Sequence, residues 1–166
     1  MRVSAKADYA VRAAIELAAA SRDSPVKADA IAEAQEIPIR FLENILAELR
    51  NHGVAQSRRG ADGGYWLARD PAEITVGDVI RAVEGPLASV RGQPPEQVSY
   101  RGRAAALARV WAELQRSVRS VLDEVTIADV VAGRLPGAAG DDQAALSSTV
   151  SGWSGRSKMR ARRGRT

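Results

Sequence analysis

Three side chains near the start of one amphipathic segment are of the types that read DNA base pairs. Glu43 and Asn44 follow Arg40 at spacings of three and four residues, so the three side chains share one face if the segment is helical. Arginine pairs with guanine, asparagine pairs with adenine, and glutamate accepts from cytosine or holds Arg40 in position. The pattern predicts recognition of a major groove. The alternative is a solvated face of mixed charge.

A second basic group lies in a glycine-rich turn shortly after this segment. Arg58 and Arg59 are followed by Gly60, Gly63 and Gly64. Glycine permits positive φ and a close approach of backbone to a ligand, so the turn could place both arginines on the DNA backbone or in the minor groove. Charged residues at the edge of a strand also prevent edge-to-edge pairing, and that reading stays open.

The composition excludes several kinds of catalytic and metal site. The chain has no cysteine, which rules out disulfides, thiolate catalysis and cysteine-held clusters. His52 is the only histidine, and no Gly-x-Ser-x-Gly motif accompanies it. Beside Gly53, His52 is most simply a polar group at a helix C-terminus. We expect no enzymatic activity, no metal and no cofactor.

The basicity of the chain comes from its C-terminal end. The net charge is +4, but residues 151–166 hold six of the 24 basic residues and no acid, which leaves 18 basic against 20 acidic residues in the rest. A DNA-binding prediction must therefore rest on local patterns. The sequence contains neither an apolar run of about 20 residues nor a secretion signal, so we expect a cytoplasmic protein without membrane contact.

Hydrophobic periodicity predicts the elements that hold these residues. Ser4 caps a first helix over 4–20, and Pro38 opens the third. The predicted elements are helices over 4–20, 27–34, 38–51, 75–85, 103–125 and 127–132, and strands over 54–59 and 65–69. In the third helix the apolar stripe comprises Phe41, Leu42, Ile45, Leu46 and Leu49. This order predicts a mainly α fold with a small β-hairpin, a winged helix-turn-helix.

The long helix over 103–125 carries an apolar stripe of about six turns. The stripe comprises Leu107, Val110, Trp111, Leu114, Val118, Val121 and Leu122. So small a body cannot cover a stripe of that length, and tryptophan often anchors interfaces, so we expect a homodimer through this helix. The alternative is packing on its own domain. The predicted division is a DNA-binding domain over 1–86, a loop over 87–102, a dimerisation region over 103–133 and a disordered basic tail over 134–166.

Three stretches, in order, resemble the Rrf2 family of bacterial transcription regulators. They are Val3-Ser-Ala-Lys-Ala-Asp-Tyr-Ala-Val-Arg-Ala13, Ile37-Pro-Ile-Arg-Phe-Leu-Glu-Asn-Ile-Leu46, and Arg59-Gly-Ala-Asp-Gly-Gly-Tyr65 with the segment 67–85 after it. The resemblance implies a homodimeric regulator, which we expect to be a repressor, whose long helix crosses that of its partner on an inverted-repeat operator. It also implies phosphate contacts by Ser4, Lys6, Tyr9 and Lys27. Tyr9 could equally be a core tyrosine.

The sequence departs from that family in the loop after the fourth helix. Many relatives bind an iron–sulfur cluster there through three cysteines, whereas residues 87–100 contain no cysteine or histidine and only one acid, Glu96. The signal is therefore open: a small molecule, a partner protein, or none. Pro38 and Arg40 stand where relatives often carry small hydroxyl residues, so no operator sequence is carried over from the family. The alternative function is a winged-helix module that binds protein instead of DNA.

Overall fold

A computed structural model describes residues 3–87 and 89–135, and it is mainly helical with one antiparallel hairpin, as predicted. The elements are α1 (Ala5–Leu17), α2 (Ala28–Gln35), α3 (Ile39–Asn51), β1 (Ala55–Arg58), β2 (Gly64–Leu67), α4 (Val76–Glu84), α5 (Leu107–Leu122) and α6 (Ile127–Ala132). Short 3₁₀ turns occur in the connecting segments. Most of the predicted basic tail, with Trp153, lies outside the described residues. None of the helices in the described ranges is long and apolar enough to cross a membrane.

The core lies where α1, α3 and α4 meet. The alanines of α1 let its neighbours approach closely, and Leu17 fills the space behind them. Four members of the predicted α3 stripe are fully buried, but Phe41 is 39% exposed. The reason is that Phe41 lies at the edge of the buried face, where it meets the Tyr9 ring edge-on with 5.8 Å between centroids. The stripe is therefore one residue narrower than predicted.

The start of α3 also differs from the prediction in detail. Pro38 is the capping residue just before the helix, with φ −56° and ψ 124°, and is not the first helical residue. The chain reaches it through Glu36, whose φ of 52° ends α2 in the left-handed region. The Pro38 carbonyl still accepts from the backbone N–H of Leu42 at 3.0 Å, so Pro38 sets where α3 begins.

The predicted helix over 103–125 is shorter at both ends. Gly102–Ala104 form a 3₁₀ turn instead, and Ala106 at the start of α5 offers no capping side chain. At the other end Val125 leaves the helix, and its carbonyl accepts from the Val76 backbone N–H at 2.9 Å. The helix has 16 residues and is about 24 Å long, so the six-turn length used in the dimer prediction was wrong.

Helices α4 and α6 begin with the same kind of cap, and their first residues lie side by side. Thr75 and Asp78 form a complete capping box at the start of α4, and Thr126 and Asp129 form another at the start of α6. The two threonines pair in an antiparallel bridge, which places the two helix starts side by side. Ile127 is fully buried in the same core as α1, α3 and α4. The segment after α5 thus packs on the helix-turn-helix core.

A line of charged groups connects α4 to the end of α5. Arg81 donates to Asp78 at 2.8 Å and to Asp123 at 2.6 Å. Partial burial raises the pKa of the Asp78 carboxyl, but hydrogen bonds from Arg81 and from the backbone and hydroxyl of Thr75 outweigh it, and the pKa lies below its ordinary value. Gly77 makes room for this contact, since a Cβ there would lie 2.1 Å from the Asp123 carboxylate.

We expect Asp78→Asn to lower the free energy of unfolding by about 1 kcal/mol at neutral pH, the typical cost of a lost helix cap. A carboxyl whose pKa is depressed by folding stabilises the fold above its unfolded-state pKa and loses that contribution as it is protonated. The difference between wild type and variant should therefore shrink in acid. Urea titrations from pH 7 to pH 3 measure it. Asp23→Asn, in an exposed turn, is the control, and equal effects of both would contradict the assignment.

Candidate DNA-binding surface

The outer face of α3 carries the side chains predicted to read bases. Leu42, Ile45, Leu46 and Leu49 are buried against the core, which fixes the opposite face toward solvent. Arg40, Glu43 and Asn44 are all exposed on that outer face, and they lie in the first half of the helix. The structure therefore brings these three predicted residues together.

The turn between α2 and α3 is held by a residue that the sequence analysis missed. Arg12 of α1 donates through Nε to the Gln35 side-chain oxygen at 3.0 Å, and its guanidinium also donates to the Gln35 backbone carbonyl. Gln35 in turn donates to Glu16 at 2.5 Å. Arg12 thus positions the end of α2 and, through the turn, the start of α3. No spacing rule indicated this role, because it depends on packing between helices.

The hairpin, which we call the wing, pairs Ala55 with Leu67 at its base and Arg58 with Gly64 near its tip. Arg58 also donates to the Asp62 carbonyl at 2.9 Å across the turn, and Arg59 is exposed beside it. Gly60 has the positive φ, +107°, that the sequence analysis expected of the turn. The wing therefore carries one arginine held by the turn and one directed to solvent.

Gly63 and Gly64 are required for packing inside the protein, a role that the sequence analysis did not identify. A Cβ on Gly63 would lie 2.2 Å from the Arg58 carbonyl oxygen, and one on Gly64 would lie 2.5 Å from that of Val26. Both neighbours are backbone atoms, which cannot rotate away as a side chain can. The turn thus allows close approach of the chain to itself.

A backbone bridge ties the wing to the start of α2. Val26 donates to the Tyr65 carbonyl at 3.0 Å and accepts from the Tyr65 N–H at 2.8 Å. The bridge brings Lys27, which precedes α2, next to the wing arginines. Arg50, from the last turn of α3, reaches the same place and was missed in the sequence analysis.

Four basic side chains consequently line one open cleft of about 440 Å³. They come from three elements: Lys27 before α2, Arg50 in α3, and Arg58 and Arg59 in the wing. Asp29 is the single acid among the lining residues. We call this group the basic cleft. Its charge suits a phosphate, since such contacts supply most sequence-independent affinity for DNA.

The other predicted phosphate contacts have partners within the protein. The Ser4 hydroxyl caps α1 by accepting from the Ala7 N–H at 3.0 Å, and it donates to a Glu84 oxygen. Lys6 lies 2.7 Å from the Glu48 carboxylate and donates to the Val83 carbonyl at 2.7 Å. The contacts of Ser4 and Lys6 with DNA stay predictions.

Tyr9 is half-buried at the edge of the core. Its ring meets Phe41, and the Arg12 guanidinium lies 5.4 Å from the ring centroid. These contacts are the packing expected if Tyr9 is a core tyrosine. A phosphate contact of its hydroxyl stays a prediction.

The apolar stripe of α5 is divided along its length. Trp111, Val118 and Leu122 are half-buried, and Leu107 is half-buried at the start of the helix. The other flank, which we call the α5 strip, comprises Val110, Leu114 and Val121, which are 55%, 45% and 56% exposed. Within the described residues, the protein's own packing thus covers one flank of the stripe and leaves the other in solvent.

Known proteins resemble this chain over most of its length. Residues 3–133 match the Rrf2 family model, described as an iron-dependent transcriptional regulator. Rv1287 of Mycobacterium tuberculosis, named as an HTH-type transcriptional regulator, is 51% identical over 136 residues, which are 82% of this chain and 84% of that protein. CymR of Bacillus subtilis, also named as an HTH-type transcriptional regulator, is 35% identical over 78% of this chain and 89% of its own. These relatives are named as regulators and not as enzymes, in agreement with the sequence prediction.

The iron dependence in the family description does not fit the donor atoms of this chain. Iron–sulfur clusters are held chiefly by cysteine thiolates, and none of the 166 residues is cysteine. In the ranges 3–87 and 89–135, no three histidine, aspartate or glutamate side chains come together as metal ligands. The residues present therefore do not form an iron site of the usual kind.

Solved structures that resemble this chain belong to the same group of regulators as its relatives in sequence. The structure of CymR, the global cysteine regulator of B. subtilis, aligns with a TM-score of 0.68 at 33% identity, covering 80% of this chain and 98% of that one. The structure of T. potens IscR aligns with a TM-score of 0.65 at 36% identity, covering 80% and 88%. The fold and the sequence of this chain thus both match one known group, and the chain belongs to the Rrf2 family of transcriptional regulators.

Proposed function

We propose that the protein is a sequence-specific DNA-binding repressor that acts in the cytoplasm as a homodimer on an inverted-repeat operator. In this proposal α3 lies in the major groove, and the wing lies on the adjacent backbone or minor groove. The observation that carries it is the basic cleft beside the exposed polar face of α3. The basic side chains proposed to bind phosphates and the polar side chains proposed to read bases then lie on one surface.

The dimensions of α3 suit this role. A major groove is about 12 Å wide and admits one helix with its N-terminal residues toward the bases. Arg40 is the candidate for guanine and Asn44 for adenine, while Glu43 accepts from cytosine or orients Arg40. The basic cleft then sets the register, because phosphate contacts position a protein without reading its sequence.

The α5 strip supports the homodimer. Three large apolar side chains on one helix flank are exposed in the single chain, and a second copy of the same flank would cover them across a two-fold axis. A dimer with two recognition helices predicts half-sites about 10 bp apart, or a multiple of that. Trp111 is half-buried within its own chain, so the aliphatic strip is the main candidate contact.

Two substitutions separate base reading from phosphate binding. We expect Arg40→Ala to relax base preference at one operator position at a cost of about 1–3 kcal/mol. Arg59→Ala should weaken binding to every sequence similarly and lower the salt slope by about one charge. The measurement is selection of bound genomic fragments by the full chain, followed by titrations at several salt concentrations.

The alternative, a winged-helix module that binds protein, predicts a different result. It predicts no enriched symmetric site in the selection and only uniform, salt-sensitive affinity for duplexes. Arg22→Ala, an exposed arginine in the loop between α1 and α2, is the matched control for both arginine variants. Equal losses for Arg40→Ala and Arg59→Ala on all sequences would contradict the assigned roles.

A further inference from the structure

A second cleft lies away from the basic cleft, between the segment after α4 and the face of α5. Its volume is about 550 Å³, within the range of roughly 300–1,000 Å³ common for small-molecule sites. Trp111, Leu114 and Val118 of α5 provide an apolar floor, and two side chains of opposite charge, Glu84 and Arg91, also line it. We call it the effector cleft.

Arg91 is held at the effector cleft in a backbone conformation that arginine rarely adopts. Its φ is +54° and that of Gly92 is +77°, so both central residues of a tight turn are left-handed. The turn is closed by hydrogen bonds of 2.8 and 3.1 Å between Val90 and Gln93. Glycine and asparagine favour these positions, so an arginine here is unusual and marks a functional candidate.

The Arg91 guanidinium packs against an aromatic ring. It lies 5.4 Å from the centroid of the Tyr100 ring, and the Tyr100 hydroxyl accepts from the Trp111 indole N–H at 3.0 Å. Trp111 belongs to the floor of the cleft, so the cation is linked to that floor through Tyr100. A prearranged guanidinium on an apolar wall is well suited to bind a carboxylate in a bidentate manner.

Glu84 provides the complementary charge. It is the last residue of α4, where the helix dipole disfavours an anion, and its carboxylate accepts a hydrogen bond from Ser4. Lys6 donates to the neighbouring Val83 carbonyl at 2.7 Å and is paired with Glu48 at 2.7 Å. A ligand cation beside Glu84 would therefore be favoured both by its charge and by the helix end.

We propose that the effector cleft binds a small zwitterion with an apolar body, an α-amino acid or a dipeptide of similar character. Its carboxylate binds Arg91, its ammonium binds Glu84, and its side chain lies on Trp111, Leu114 and Val118. A simple anion would be repelled by Glu84 and a simple cation by Arg91. A neutral apolar molecule would remove water from both charges without replacing it.

The position of the cleft allows a bound ligand to affect DNA binding. Leu114 belongs both to the cleft floor and to the α5 strip. A ligand there contacts the helix through which two copies are proposed to pair, so its binding changes the relative placement of the two recognition helices. This regulatory step rests on the proposed function, whereas the binding site does not.

The test is calorimetric titration of the full chain with the common L-amino acids, apolar dipeptides, and N-acetyl amides of the same amino acids, which lack both charges. At least one free zwitterion should bind with a Kd below about 1 mM, and its blocked amide should not. Arg91→Asn, which tolerates the left-handed turn, and Glu84→Gln, which keeps an acceptor for Ser4, should each weaken binding about tenfold or more. Arg101→Ala, an exposed loop arginine outside the cleft, should not.

Each outcome bears on the binding site, on the proposed function or on the regulatory step. The site would be overturned if no compound in the panel bound with a Kd below about 1 mM. It would also be overturned if the blocked amides bound as tightly as the free zwitterions, or if Arg91→Asn bound the ligand as tightly as the wild type. The same samples are titrated with selected operator DNA, with and without ligand. Ligand binding without any DNA binding would refute the proposed function and leave the site standing. Ligand binding that leaves operator affinity unchanged would refute the regulatory step alone.

Discussion

Val121→Glu is expected to convert a dimer into monomers and to abolish tight operator binding. Val121 is 56% exposed in the α5 strip, so the single chain tolerates a charge there. Across a two-fold interface the substitution places two carboxylates in an apolar contact, where unpaired charges cost several kcal/mol. A loss of about 4 kcal/mol weakens dimerisation about 1,000-fold. Sedimentation equilibrium measures the mass, and titration with selected operator DNA measures the affinity.

Val131→Glu is the matched control for this prediction. It is the same substitution, at a valine that is 57% exposed on α6 instead of α5. It should leave both the dimer and operator affinity unchanged. A dimeric Val121→Glu protein would show that another surface joins the copies, and a monomeric wild type would remove the basis of the inverted-repeat operator.

Periodicity was sufficient for the parts of the fold that local rules determine. The buried face of α3 follows from apolar residues at helical spacing, and it leaves Arg40, Glu43 and Asn44 exposed opposite. The capping boxes at Thr75 and Thr126 could likewise be predicted, because each involves residues three apart. The family motifs lie on these same elements, so fold and family agree.

Contacts between distant segments could not be predicted in this way. Lys27 enters the basic cleft because Val26 pairs with Tyr65 and places the start of α2 beside the wing, and Arg50 reaches the same cleft from α3. The C-terminal end of α5 was misplaced for the same reason, since Val125 gives its carbonyl to α4 instead of continuing the helix. Sequence spacing carries no information about such partners. The sequence predicted that Ser4 caps α1, but it gave no sign of the contacts of Ser4 with Glu84 or of Lys6 with Glu48 and Val83.

Gly64→Ala should separate the wing from α2 and thereby weaken DNA binding without touching a charged residue. The added Cβ would lie 2.5 Å from the Val26 carbonyl oxygen and 2.8 Å from its carbon, so the bridge between Val26 and Tyr65 must open. Overpacking of this kind costs about 1–3 kcal/mol of stability. Lys27 would then no longer lie beside Arg58, and operator affinity should fall at least about tenfold, with a smaller salt slope.

The comparison with Ala61→Ser distinguishes a displaced wing from a general effect of added bulk. Ala61 is exposed in the same turn, and serine also adds one heavy atom there. Affinities are measured well below both melting temperatures, where circular dichroism shows each variant folded, so lost stability does not mimic lost binding. If Gly64→Ala keeps the wild-type melting temperature and salt slope, the bridge does not position the wing. In that case the phosphate contacts persist without the bridge, and the placement of the wing arginines would have to come from the hairpin itself.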